Sequence, residues 1–274
     1  MAETHQKVGL IAGNGHFPLI WAAEAKKHER EVIAIGLREE TEPALEQIVD
    51  RIHWVQVGEL GKLFEILKRE ALVEVVMAGQ VRPQRLLAKG LNPDSLLTQA
   101  LNQVKDLRAD SLLGTFARML ESQGVRVLNS TLFLEDSLAG EGVLTQAQPS
   151  DSQREDVQFG LQQAKVIAGA DIGQTIVVRS KAVLAVEAIE GTDAAIRRGG
   201  QLGGPGAVVV KVAKPKQDMR FDVPVVGEST LRTLQEAQAS VLAVETGRTL
   251  FIGGAGFIRL ADSAGIVLMG VKVS

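Results

Sequence analysis

Short runs of aliphatic and β-branched residues alternate with amphipathic stretches along this chain, and that alternation admits few folds. Residues 8–12, 32–35, 52–57 and 73–78 are apolar runs bounded by turn residues, a pattern that predicts buried strands. Between them, 18–27, 44–49 and 60–70 read as helices. In the last of these, Leu63, Phe64 and Leu67 gather on one face with charges opposite. Further helices are expected over 95–105 and 110–123, with Gly124 as a stop and a strand at 125–128. Strands separated by helices pair in parallel through crossovers, so residues 1–134 are expected to form a Rossmann-like α/β domain.

The pattern breaks over 135–153, where Gly140, Gly142 and Pro149 stand among polar residues without a sustained period. This segment reads as a linker, although Gly140 to Thr145 also suits an ordered turn packed on the first domain. A second α/β domain is expected over 154–274. It opens with a helix at 155–168, followed by strands at 175–179, 182–186, 207–213, 241–245 and 249–252. Helices are expected at 193–198, 228–238 and 254–264, with a closing strand at 266–270. The predicted class is α/β, as two domains with a substrate cleft between them.

Composition removes several functions. With 274 residues, 45% of them hydrophobic, the chain can bury real cores. Its net charge of -3 offers no basic excess for nucleic acid, so none is expected as a partner. The absence of cysteine excludes a disulfide framework, a thiolate nucleophile and a Cys-based zinc site. No apolar run approaches the roughly 20 residues of a bilayer span. The polar start predicts no export signal, and the cytoplasm is the expected location. Transient contact with a membrane surface stays compatible with all of this.

The first predicted strand runs into Gly13-Asn14-Gly15-His16-Phe17-Pro18, and a helix follows. A glycine turn that opens a helix presents backbone N–H groups and the positive end of the helix dipole, which suits a phosphate. The alternative is a tight turn that binds nothing. The dinucleotide fingerprint fails, because Pro18 replaces its third glycine and no carboxylate follows the second strand. Two more glycine turns end other strands, one holding Gly58, Gly61 and Lys62, the other Gly79 and Gln80. Ligands of open parallel sheets sit at the carboxyl ends of strands, so the three turns are expected along one edge.

Charged groups cluster in the second half. Glu190, Thr192 and Asp193 occupy one predicted strand-to-helix turn, where two carboxylates and a hydroxyl suit a hard cation such as Mg²⁺. Thr192 or Asp193 would equally serve as a helix cap. Further on, a strand delivers Lys214 and Lys216 around Pro215, and then Arg220 and Asp222. Basic groups that hold a diphosphate and a carboxylate that steers water or metal are the parts phosphoryl transfer needs. A solvated charged loop is the plainer reading. The histidines form neither a Ser-His-Asp arrangement nor a metal spacing, so any metal would be Mg²⁺ or Mn²⁺ on oxygen ligands.

In combination, spacing and order these segments resemble a known family. They are Gly9 to Gly15, Gly58 to Lys62, Ala78 to Pro83, Asp171 to Gln174, Val183 to Asp193, and Lys214 through Pro224. The resemblance is to the UDP-2,3-diacylglucosamine pyrophosphatases of the LpxI type, from lipid A biosynthesis. It implies two α/β domains that take a lipid-linked UDP-sugar, and water attack on the α-phosphorus stimulated by Mg²⁺. The products would be UMP and 2,3-diacylglucosamine 1-phosphate. It also implies a homo-oligomer in the cytoplasm of a Gram-negative bacterium, peripheral to the inner membrane. Asp222 is then the expected catalytic residue, and Asp222, Asp193 and Glu190 the expected metal ligands. Substrate contacts would come from Gly13, Asn14, Gly15, Gly61, Lys62, Gly79, Gln80, Gln174, Thr192, Asp193 and Lys214. A nucleotide-binding oxidoreductase and a non-catalytic nucleotide sensor are the rival readings.

Overall fold

The computed structural model describes residues 6–81, 92–103 and 109–273. The chain forms two compact units, Met1–Leu134 with Met219–Asp222, and Glu135–Asp218 with Val223–Ser274.

The first unit is an α/β layer structure. In chain order it carries β1 (Lys7–Ala12), α1 (Phe17–Lys27), β2 (Glu31–Leu37), β3 (Arg51–Val55), α2 (Leu60–Arg69), β4 (Glu74–Ala78), α3 (Ser95–Gln103), α4 (Ala109–Ser122) and β5 (Arg126–Val127). The strands form one sheet in the order β3-β2-β1-β4-β5, parallel throughout. Ile33 and Ile35 of β2 pack with Leu63, Ile66 and Leu67 of α2 and Leu120 of α4, one apolar stripe per helix. Burial of each such side chain contributes roughly 2 kcal/mol. Trp21 of α1 is fully buried, with its ring centroid 5.9 Å from that of Phe133.

Residues 44–49, expected as an α-helix, form a 3-10 turn at Pro43–Gln47. Five residues are too few to repay the nucleation cost of an α-helix. Arg82 and Pro83 of the sequence motif lie outside the described residues. Glu70, at the end of α2, accepts from Arg51 at 2.5 Å and faces His53 at 2.8 Å. Burial pushes its carboxyl upward, but the bonds to His53 and Arg51 outweigh that and hold it below the usual range.

The second unit carries β6 (Gly142–Val143), α5 (Asp151–Gly169), β7 (Thr175–Arg179), β8 (Ala182–Val186), α6 (Thr192–Gly203), β9 (Val208–Lys211), β10 (Val225–Val226), α7 (Glu228–Glu236), β11 (Val241–Glu245), β12 (Leu250–Phe251), α8 (Ala255–Ser263) and β13 (Val267–Val271). Its main sheet has the order β6-β13-β11-β9-β7-β8, with β9, β11 and β13 parallel and β7 antiparallel to both neighbours. Alternate residues of β9 face opposite layers. Val208 and Val210 pack with Val157 and Ala164 of α5, and Val209 packs with Ile196, Leu234 and Phe257. At Gly199 a Cβ would lie 2.5 Å from the Cβ of Val177, so only glycine lets α6 approach the sheet this closely.

The segment 135–153, expected as a linker, is built into the second unit. Val143 pairs with Met269, Leu138 bridges Leu250, and Ser150 opens α5 with a capping box to Gln153. Conversely, Met219–Asp222 groups with the first unit. There Ser130 donates its N–H and hydroxyl to the Met219 carbonyl at 3.0 and 2.9 Å, and Phe221 packs on the first core. Among the described residues no helix is long and apolar enough to cross a membrane.

Candidate functional site

The first sheet reverses its winding between β1 and β4, and such a switch point leaves a crevice at the carboxyl ends of the two strands. Both strands run there into glycine turns that zip together. Gly13 N–H donates to the Ala78 carbonyl at 2.8 Å, Asn14 N–H to the Gln80 carbonyl at 2.7 Å, and Gln80 N–H to the Asn14 carbonyl at 3.2 Å. A Cβ on Gly13 would stand 2.5 Å from the Gln80 oxygen. Gly79 has φ +86°, and its Cβ would meet the Asn14 oxygen at 2.6 Å. Close backbone approach therefore accounts for Gly13 and Gly79 without any ligand.

Gly15 is different. Its φ is +92° and a Cβ there would meet nothing within 4 Å, so the turn opens outward at the start of α1. That helix has no side-chain cap bond from His16 and no acidic residue in its first turn. The positive end of its dipole suits an anion, and the Glu42 carboxylate stands 3.3 Å from the His16 ring at that end. Asn14 is held in place by donating Nδ2–H to the Glu40 carbonyl at 3.2 Å.

The turn at Gly58 to Lys62 is arranged otherwise. Gly61 N–H donates to Asp94 Oδ2 at 2.6 Å, and Lys62 pairs with Glu59 at 3.1 Å. The protein's own Asp94 thus takes the Gly61 donor that the sequence offered to a phosphate, and Glu59 engages the Lys62 ammonium. Arg220 pairs with Glu121 at 2.5 Å. Phe221 lines the same cavity as Gly13 and Gly79, and Asp222, the next residue, is half-buried.

In the second unit, three apolar strands end in a charge at one sheet edge: Glu187 after β8, Lys211 at the end of β9 and Glu245 at the end of β11. Lys211, buried, donates to the Thr192 hydroxyl at 2.9 Å, and Thr192 donates to Glu187 Oε1 at 2.7 Å. Gln174 N–H reaches Glu187 Oε2 at 3.3 Å. Thr192 is therefore not a helix cap. Gly191 occupies that position at φ +85°, and the Thr192 side chain joins the charged relay instead. Glu245 accepts from Lys165 at 2.7 Å and from the Ala213 N–H at 2.9 Å, which anchors the loop that carries Lys214. Lys214 pairs with Asp171 at 2.8 Å. Gln174 Oε1 and Thr175 Oγ1 are buried at this edge with no hydrogen-bond partner among the described residues.

Asp193 lies in the first turn of α6. Glu190 pairs with Arg198 at 2.7 Å, and its own backbone amide followed by Arg198 holds its carboxyl below the usual range. Among the described residues no three of His, Asp and Glu gather to hold a metal ion. The structure joins Gly13, Asn14, Gly15, Gly79 and Gln80 in one first-unit edge, and joins Gln174 and Thr192 in one second-unit cluster. Sequence reasoning missed Glu187 as a site residue, and with it Lys211, Glu245, Lys165 and Asp171. For Glu187, Lys211 and Glu245 the available signal was a charge closing an otherwise apolar strand, since burying it requires a partner.

Comparison with known proteins agrees with the two-part organisation. Residues 7–137 match the family model described as the LpxI N-terminal domain, and residues 140–269 match the LpxI C-terminal domain. The UDP-2,3-diacylglucosamine pyrophosphatase LpxI of Caulobacter vibrioides is 32% identical over 281 aligned residues, covering 97% of this chain and 98% of that protein. Among solved structures, the biotin carboxylase domain of Hydrogenobacter thermophilus 2-oxoglutarate carboxylase is 14% identical. It overlaps 85% of this chain and 40% of its own with a TM-score of 0.28, too slight a likeness to carry an argument. With both halves matched in order and one relative aligned over nearly its whole length, the chain belongs to the LpxI family.

Proposed function

We propose that this chain is a hydrolase that cleaves the pyrophosphate of UDP-2,3-diacylglucosamine to UMP and 2,3-diacylglucosamine 1-phosphate, a step of lipid A biosynthesis. The likeness to the Caulobacter pyrophosphatase over 97% of the chain carries this reading. The glycine turns paired at the switch-point edge of the first sheet support it.

In the proposed reaction a water oxygen bonds to the α-phosphorus. The bridging bond to the β-phosphate oxygen breaks, its electron pair leaves with the lipid phosphate, and the water proton is lost to solvent. Asp222 orients that water. The open amides at Gly15 and the start of α1 take up phosphate charge, and Lys214 adds a point charge. The Lys211–Thr192–Glu187 relay fixes Gln174 and Thr192 for substrate contact.

The oxygen donors fit a hard cation shared with the substrate better than a cage made by the protein alone, since no such cage exists among the described residues. Asp222 would be the oxygen donor to Mg²⁺ or Mn²⁺ in the first unit, and Glu190 is engaged by Arg198. The ion supplies neutralisation of phosphate charge. A cytoplasmic enzyme of a Gram-negative cell, homo-oligomeric and in transient contact with the inner membrane that supplies its substrate, completes the reading.

Purified protein supplied with UDP-2,3-diacylglucosamine is expected to release UMP. Chelation with EDTA should abolish most turnover, and added Mg²⁺ should restore it. Release of UDP in place of UMP would overturn the bond assignment, and full activity after chelation would remove the cation.

A further inference from the structure

We propose that Ser130 is a positioning residue of the reaction, acting through the turn that carries Asp222 and not on the substrate itself. The inference rests on the hydrolase reading above, with Asp222 as its catalytic residue. Met219 to Phe221 form a turn and Asp222 follows it, with no strand or helix to fix their backbone. The chain on either side, through Asp218 and from Val223, belongs to the second unit, yet these four residues group with the first. What places the Asp222 carboxylate must therefore act on this short turn.

Three contacts grip it, and they are unequal. Arg220 pairs with Glu121 at 2.5 Å, but the two side chains are 36% and 44% exposed, and such a pair holds little in water. Phe221 is half-buried against the first core, and apolar packing has no direction, so it sets depth and not orientation. Ser130 is different. It is fully buried, and both its N–H and its hydroxyl donate to the Met219 carbonyl, at 3.0 and 2.9 Å. Two directional bonds from one residue fix the plane of the peptide that joins Met219 to Arg220.

Ser130 can do this because it stands on the first sheet. Leu128, two residues earlier, extends the pairing of β4 with β5 by donating to the Val75 carbonyl at 2.8 Å. Asn129 Oδ1 then accepts from the Thr131 N–H at 2.9 Å and from the Thr131 hydroxyl at 2.8 Å, an Asx turn that locks the backbone around Ser130. A chain of bonds thus runs from the sheet through Ser130 to the Met219 peptide, three residues before Asp222. The Ser130 N–H alone would satisfy a buried carbonyl, so the hydroxyl is a second donor beyond that need.

The test is Ser130→Ala, which keeps the N–H bond and removes only the hydroxyl. The kcat for UMP release should fall about tenfold, with KM within about twofold and the melting temperature within about 3 °C of wild type. In an Asp222→Ala background the same change should lower residual turnover less than about twofold, because nothing is left to position. An unchanged kcat, an equal fall in both backgrounds, or a loss of activity that tracks melting temperature would overturn the assignment. Ser130→Cys, which fills the same place with a weak donor, carries the same test if the alanine variant folds poorly. Amide hydrogen exchange gives a readout free of turnover. Over residues 217–224 it should quicken about tenfold in Ser130→Ala, with α2 unchanged, and equal exchange in both proteins would show that the hydroxyl does not hold the turn. If the unmodified protein releases no UMP, the hydrolase reading fails, while the exchange rates still test the clamp.

Discussion

Asp222→Ala is expected to lower turnover by about 10³-fold while substrate affinity stays within a few-fold. The aspartate stands in Met219–Asp222, a piece of chain that joins the first unit. The Met219 carbonyl is held by Ser130, Arg220 pairs with Glu121, and Phe221 packs on the core. On the other side, Val223 is restricted to extended backbone because Pro224 follows it. A carboxylate whose neighbours are fixed on both sides is held in place at little further entropic cost, as a group that must orient water requires. The measurements are kcat, KM and the melting temperature of the same preparation. Wild-type turnover in a well-folded variant would dismiss Asp222 as the catalytic residue and leave Asp193 as the next candidate. A loss of activity that follows the loss of melting temperature would make the residue structural.

Gly13→Ala should be the most damaging change in the glycine turns. A methyl there would stand 2.5 Å from the Gln80 oxygen and 2.9 Å from its carbonyl carbon. Those are backbone atoms and cannot rotate aside, so β1 and β4 must separate at the switch point and the Asn14–Gln80 pairing is lost. The expected cost is about 3 kcal/mol or more, with turnover falling in parallel. Gly15→Ala makes a useful contrast, because its methyl enters open space and strain at φ +92° costs only about 1–2 kcal/mol. That variant should stay folded and lose phosphate affinity. Chemical denaturation and substrate titration of both variants check the pair. A Gly13→Ala protein as stable as wild type would show that the turns do not pack as described.

The fold was legible wherever side-chain period and burial agree. β1, β2 and β4 are aliphatic over nearly their whole length because helices cover both faces of a parallel sheet, and such runs stand out in a sequence. α2 announces itself through Leu63 and Leu67, both buried. The segment 135–153 did not, because β6 is two residues long and owes its existence to pairing with β13, more than a hundred positions away. The glycine turns were legible as turns. That Gly13 and Gly79 need each other, while Gly15 faces outward, depends on strand order, which the sequence does not print. In the second unit the Glu190–Asp193 turn attracted attention because its charges are adjacent in sequence. The relay that formed uses Lys211 and Glu187 on either side of Thr192, brought together by the pairing of β7 with both β8 and β9. Long-range strand register decides which charges meet.

The central claim is that water attacks the α-phosphorus. Hydrolysis of UDP-2,3-diacylglucosamine in ¹⁸O-labelled water, followed by mass spectrometry of both products, tests it most directly. The account predicts label in UMP and none in 2,3-diacylglucosamine 1-phosphate, whereas label in the lipid phosphate would contradict it.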